Sequence, residues 1–178
     1  MDLKYDPSLV LYLPLYELDD ASLVSKEKHG HLATVTGALW TPQGRWFDGI
    51  DDQITLTNSL FTGTKNVSIK TVGMWVFTPG TADYGNIYGT RNSATQANWQ
   101  FYRDINTLDL RIHHNDSFNQ DTGWNFPLGG WACIFAIIDG QVNEWQVFAD
   151  GNWVYTAAGQ NFAAASGGGV LTVGNDND

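Results

Sequence analysis

The chain has 178 residues, 43% of them apolar and 13% aromatic, with eight Trp, 19 Gly and two Met. That length supports one well-cored domain and is short for two, and abundant aromatics and glycines suit strands and tight turns better than a helical bundle. Nine Lys and Arg stand against 19 Asp and Glu, a formal charge of −10, which argues against nucleic acid or an anionic membrane surface as partner.

The N-terminal residues MDLKYDPSLVLYLPL lack a basic segment followed by a long apolar core, so no signal peptide is expected. The longest apolar run falls well short of the roughly twenty residues that span a bilayer, which excludes insertion by a helix. The single cysteine, Cys133, lies inside an apolar run. No intrachain disulfide is possible, and no flanking charge activates the thiol, so it reads as a small core residue.

Taken in order, Leu9 to Leu15 is a candidate edge strand, because Pro14 removes one ladder donor. Tyr16 to His31 is polar and reads as loop or one helical turn. Ala33 to Trp40 alternates weakly and ends in the turn Thr41-Pro42-Gln43-Gly44. After the Asp48-Gly49 turn, Ile54 and Leu56 alternate with Gln53 and Thr55, a strand with one wet face. Asn66 to Pro79 is a long strand whose phase blurs at Gly73, where a bulge or a close backbone approach is expected. Asn86 to Arg91 is a short strand. Trp99 to Arg103 and Leu108 to His113 form a hairpin, with Leu108, Leu110 and Ile112 inward and Asp109, Arg111 and His113 outward. His114 to Pro127 reads as a long loop. Trp131 to Tyr155 is a meander: an all-apolar strand expected to be covered on both faces, a second strand from Glu144, a positive-φ turn at Asp150-Gly151-Asn152, and a return strand. Val170 to Val173 is a last short strand. These many short strands without a convincing helix specify an all-β, antiparallel two-sheet sandwich as a single domain over residues 1–178.

Four segments, in this order, carry a resemblance: LVLYLPLYE, WFDGIDDQITL, VSIKTVGMWVFTP, and GGWACIFAIIDG with VFADGNWV, followed by LTVG. Together they resemble the laminin G-like, concanavalin A-like jelly-roll domains. The resemblance implies a lectin-like sandwich, carbohydrate binding or adhesion, and placement on a cell surface or virion. It also implies a structural calcium in loops near the first and last strands, for which Asp19, Asp20, Asp176 and Asp178 are the matching acidic residues, although Lys26 and Lys28 oppose a cation there. Family members continue past the LTVG position with a further strand. This sequence stops at Asp178, which raises the expectation of an open sheet edge beside the first strand, completed by a second copy or a partner strand.

Catalysis finds little support in the sequence. A glycanase needs two carboxylates converging on one groove; Glu144 stands alone, Asp104 and Asp109 flank a turn, and Glu17, Asp19 and Asp20 lie in loop. No Ser lies in a G-x-S-x-G elbow, and His29, His31, His113 and His114 make a weak zinc pattern, since adjacent strand residues face opposite ways. The wet side of the hairpin offers aromatic, amide and guanidinium groups suited to sugar: Tyr88, Arg91, Gln100, Tyr102, Arg111 and His113, with Trp124 as a rim. The bland alternative pairs Arg111 with Asp104 or Asp109 and leaves the tyrosines to packing. The expectation is therefore a non-catalytic carbohydrate-binding or adhesive module; a glycan hydrolase or lyase, and a pure assembly module, are the alternatives.

Overall fold

The computed structural model describes residues 5–18, 22–56, 69–79, 85–91, 97–104, 107–114, 118–139, 141–158 and 170–174. Among them every regular element is a strand, and no helix is long and apolar enough to cross a membrane. The larger sheet has eight antiparallel strands in the order β1 (Ser22–Val24), β2 (Leu32–Thr36), β5 (Gln53–Leu56), β14 (Val170–Gly174), β7 (Gly85–Arg91), β8 (Ala97–Arg103), β9 (Asp109–His114) and β10 (Phe118–Asn125). The smaller has four: β13 (Asn152–Ala158), β12 (Glu144–Ala149), β11 (Gly130–Asp139) and β6 (Ile69–Thr78). A separate hairpin joins β3 (Leu39–Thr41) to β4 (Gly44–Trp46).

The sandwich core divides in two. Phe101, Leu110 and Ile112 from the larger sheet meet Ala132, Ile134, Ala136, Ile138, Trp145 and Val147 from the smaller. Trp145 is fully buried, its ring tilted 57° against Phe101 at 5.5 Å, within the centroid range of favourable aromatic pairs. The second cluster, Leu23, Ala33, Ile54, Leu56 and Leu171, belongs to the β1–β14 half of the larger sheet, and Leu11, Leu13, Leu15 and Phe47 pack onto it. Tyr88 of β7 touches both clusters.

Leu11, Leu13 and Leu15 thus reach the core, but the expected strand ladder is absent. The segment is an extended strap without strand pairing. It is held by the Lys26 N–H donating to the Tyr12 carbonyl at 2.9 Å, the Tyr12 N–H donating to Glu27 Oε2 at 2.9 Å, and the Trp40 indole donating to the Tyr16 carbonyl at 3.1 Å. The buried Glu27 carboxylate also accepts the Ser25 hydroxyl at 2.8 Å, and His31 Nε2 lies 3.8 Å away.

Two loop readings and one burial reading are corrected. A strand, β1, occupies part of the region read as loop, and β10 fills the presumed loop after His114, with Gly123 (φ 71°) at its register shift. The last strand, β14, is central, bonded to β5 on one side and β7 on the other. The edges of the larger sheet are β1 and β10. Finally, β11 is not covered on both faces: Ala132, Ile134, Ala136 and Ile138 are buried while Trp131 and Phe135 are exposed. Other readings hold. The turn after β12 has positive φ at Asp150 (51°) and Gly151 (79°), and β6 pairs continuously with β11, so at Gly73 the answer is a close approach and not a bulge.

Candidate binding surface

The register places Gln100 opposite His113 and Tyr102 opposite Arg111, then Asn119 opposite His113 and Asp121 opposite Arg111. Gln100, Tyr102, Arg111 and His113 thus share the outer side of the larger sheet, as their alternation predicts. The side is not wet throughout: Gln100 and Tyr102 are only 4% and 6% exposed. Its polar groups are also engaged with one another. Arg111 reaches Asp104 at 3.1 Å and Asp121 at 3.8 Å, and the Tyr102 hydroxyl donates to Asn119 Oδ1 at 2.6 Å. Burial pushes the Tyr102 phenol up in spite of that bond.

Two expected members face elsewhere. Tyr88 stands opposite the core residue Phe101 and so points inward, where burial drives its phenol far above the ordinary tyrosine range. Trp124 packs against the first core cluster and edge-on to Phe126 at 5.1 Å, which makes it a core flank instead of a rim. The side chain of Arg91, and all of Asp19, Asp20, Asp176 and Asp178, lie outside the described residues.

A different surface stands out on the smaller sheet. Its inner face is aliphatic around Trp145 and Tyr155, with Val72, Met74 and Val76 from β6 beside the buried residues of β11 and Val147 of β12. Its outer face is aromatic: Trp75 is 69% exposed, Phe77 41%, Trp131 45%, Phe135 45% and Trp153 62%. The pairing explains why they gather. Trp131 stands opposite Phe77, with ring centroids 5.5 Å apart. Phe135 stands between Gly73 and Phe148, and Phe148 opposite Trp153, so one row crosses all four strands. A Cβ on Gly73 would lie 2.5 Å from the Phe135 ring. The glycine lets that ring settle low across β6, as aromatic residues cover glycines in sheets.

The described outward positions between these rings are Thr71, Cys133, Ile137, Gln146 and Thr156, none of them charged. Asp139 and Glu144 close one end. At the β12–β13 turn, Asp150 Oδ1 accepts the Cys133 N–H at 2.9 Å, and burial, helped by Asp150, pushes the Cys133 thiol up.

The sequence held a signal for this face. In WACIFAII the large aromatics, Trp131 and Phe135, fall in one phase while Ala132, Ile134, Ala136 and Ile138 fall in the other, and Trp75 and Phe77 repeat the division against Val72, Met74 and Val76. An all-apolar run hides two different faces.

Among the described residues, one acidic group converges: the carboxylates of Asp48, Asp51 and Asp52 lie within 4.8 Å of one another. They frame a turn. Asp48 Oδ1 accepts the N–H of Ile50 at 2.8 Å, and Asp52 Oδ2 accepts that of Asp48 at 2.8 Å. Asp52 is buried against Gly37, where a Cβ would collide with its carboxylate.

No family model matches the chain, and no curated protein matches it. Solved structures do. A Trypanosoma rangeli sialidase in complex with 2,3-difluorosialic acid is 13% identical at TM-score 0.71, over 96% of this chain and 28% of that one. The binding domain of botulinum neurotoxin DC in complex with rat synaptotagmin II is 11% identical at TM-score 0.64, over 94% and 44%. A structure described by the dependence of botulinum neurotoxin type C cell entry on two ganglioside molecules is 12% identical at TM-score 0.65, over 93% and 42%. The chain thus spans less than half the length of each of these structures. At such identities the likeness establishes a shared fold, and the chain is an all-β antiparallel sandwich.

Proposed function

We propose that the chain is a non-catalytic binding module for carbohydrate, and that it binds through the outer face of β6, β11, β12 and β13. The observation that carries this reading is the set of five large aromatics exposed on one sheet face. Leaving such rings in water forgoes about 1.5–3 kcal/mol of burial for a residue such as Phe, and contiguous apolar patches of this kind mark interaction sites. Aromatic faces carry negative quadrupole density that meets the polarised C–H groups of a pyranose ring, while Gln146, which donates to Glu144 at 2.6 Å, and Thr156, which accepts the Trp153 indole N–H at 2.9 Å, keep further neutral donors and acceptors between the rings. The sandwich neighbours are consistent in kind, since their names mention sialic acid, ganglioside molecules and rat synaptotagmin II.

The outer face of β8, β9 and β10 is the lesser candidate, because Arg111 and Tyr102 are already engaged by Asp104, Asp121 and Asn119. Calcium takes no part in ligand contact on this reading. Thermal unfolding against a glycan panel tests it, since a ligand selective for the folded chain raises the midpoint by mass action. The rise is expected in the native sequence and absent in Trp75→Ala and Trp131→Ala; a rise that survives both substitutions places the binding elsewhere. Repeating the series with calcium and with a chelator separates any metal effect, which Asp51→Asn would trace to the Asp48 turn.

A further inference from the structure

Resting on the reading of the aromatic face as the recognition surface, we infer that its ligand is an uncharged, extended polysaccharide, not an acidic glycan and not a second copy of the chain. Charge decides the first point. The chain carries −10, no cation stands among the described outward positions of the face, and the described charges at its ends, Asp139, Glu144 and Asp150, are acidic. An anionic sugar or polymer approaching this surface meets repulsion, with no cation among the described outward residues to neutralise it.

Shape decides extension. Trp131 and Phe135 are four residues apart on β11, about 13 Å, and Phe135 to Trp153 crosses two strand spacings, about 10 Å. The rings cover more than one sugar and enclose none, for they stand on an open sheet face. Phe135, lying over Gly73, keeps that face low. A short ligand finds little enclosure there, since small-molecule sites are concave, whereas a polymer can lay successive rings on Trp131, Trp75 and the row from Phe135 to Trp153.

The chemistry of the two faces of this one sheet argues against self-association. The face that packs against protein is built from Val, Met, Ile and Ala around Trp145; the outer face replaces these with Trp and Phe. An obligate homodimer interface resembles a domain core cut in half, whereas Thr71, Gln146 and Thr156 interrupt this face with polar side chains. Two chains of −10 also repel, and net charge of that size keeps proteins apart.

The test is co-sedimentation or affinity electrophoresis with cellulose, chitin and a soluble mixed-linkage β-glucan, run beside hyaluronan and polysialic acid. Retention is expected on at least one uncharged polymer, nearly unchanged between about 50 and 500 mM salt, and on neither acidic one. Trp75→Ala, Trp131→Ala and Trp153→Ala each lower retention by about tenfold or more, with near-ultraviolet circular dichroism confirming the fold; Trp75→Tyr recovers part of it. Gln146→Lys with Thr156→Lys should admit the acidic polymers.

Preference for hyaluronan or polysialic acid, lost in the Trp variants, overturns the ligand class while leaving the surface in place. Retention that ignores the Trp variants overturns the surface itself. No retention together with a dimer that Trp75→Ala dissociates in light scattering assigns the face to a second copy, and no retention by a monomer refutes the polysaccharide outright.

Discussion

Replacing Glu27 with Gln probes how the strap is held. The Glu27 carboxylate accepts two hydrogen bonds, from the Tyr12 N–H and the Ser25 hydroxyl, and a bond to a charged acceptor is worth about 1 kcal/mol more than a neutral one. Two such bonds predict a loss of about 2 kcal/mol in Glu27→Gln at neutral pH, before any mismatch between the new amide N–H and the donors already facing it. Burial works to raise the Glu27 pKa, but Ser25, Tyr12, its own N–H and His31 outweigh it, so the folded carboxyl titrates below its ordinary value of 4.5. A depressed carboxyl contributes stability that is fully present above the unfolded pKa and is lost as pH falls through the folded one. Urea unfolding of both proteins at pH 7 and near pH 3 measures this: the gap is expected at pH 7 and shrinks in acid. A gap that is equal at both pH values, or absent at pH 7, refutes the strap's dependence on the charge.

Gly37 has φ +72° and an absent Cβ that would overlap the Asp52 carboxylate. Gly37→Ala is therefore expected to cost about 3 kcal/mol or more by chemical denaturation, from the left-handed backbone and from displacing a buried carboxylate. Gly73→Ala is expected to stay within about 1 kcal/mol, because an exposed Phe135 can swing away and a strand gains from losing glycine, yet it should weaken glycan retention by tilting that ring. The Cys133 thiol, raised by burial and by Asp150, is expected to alkylate more slowly at neutral pH than a free cysteine, and Asp150→Asn to speed it.

How far the sequence could be read depended on what each signal measures. Alternation reports which side of a strand is covered, so the inward Leu110 and Ile112 of β9 were legible directly, whereas Leu108, read with them, falls before the strand at φ 64°. It does not report ladder bonds. Leu11, Leu13 and Leu15 pack onto the core from a strap that has none, because hydrophobic contact does not require strand pairing. The strand β10 was hidden because Asn119, Gln120, Asp121 and Thr122 look like loop residues; they sit at a sheet edge, where polar side chains find hydrogen bonds such as Thr122 to the Leu110 carbonyl at 2.7 Å.

The candidate site shows the same limit from the other side. Gln100, Tyr102, Arg111 and His113 were assigned correctly to one face, and the pairing of Arg111 with Asp104 was the alternative the sequence offered, but no sequence pattern reveals that Asp121 would join it from β10 or that Gln100 would be buried. The all-apolar run of β11 concealed its exposed face because hydrophobicity does not distinguish a ring held for packing from one held in water. Size marked the division on β11, with only Ala and Ile on the inner side and both large aromatics, Trp131 and Phe135, on the outer, where Ile137 joins them.

The most direct test of the central claim is ¹⁹F NMR of the chain labelled with 5-fluorotryptophan, its eight resonances assigned by Trp→Phe substitution and followed during titration with a soluble neutral β-glucan oligosaccharide. The account predicts that Trp75, Trp131 and Trp153 shift together while the buried Trp145 and the core-flanking Trp124 stay in place. Binding that moves Trp124 and leaves Trp75, Trp131 and Trp153 unchanged would contradict it.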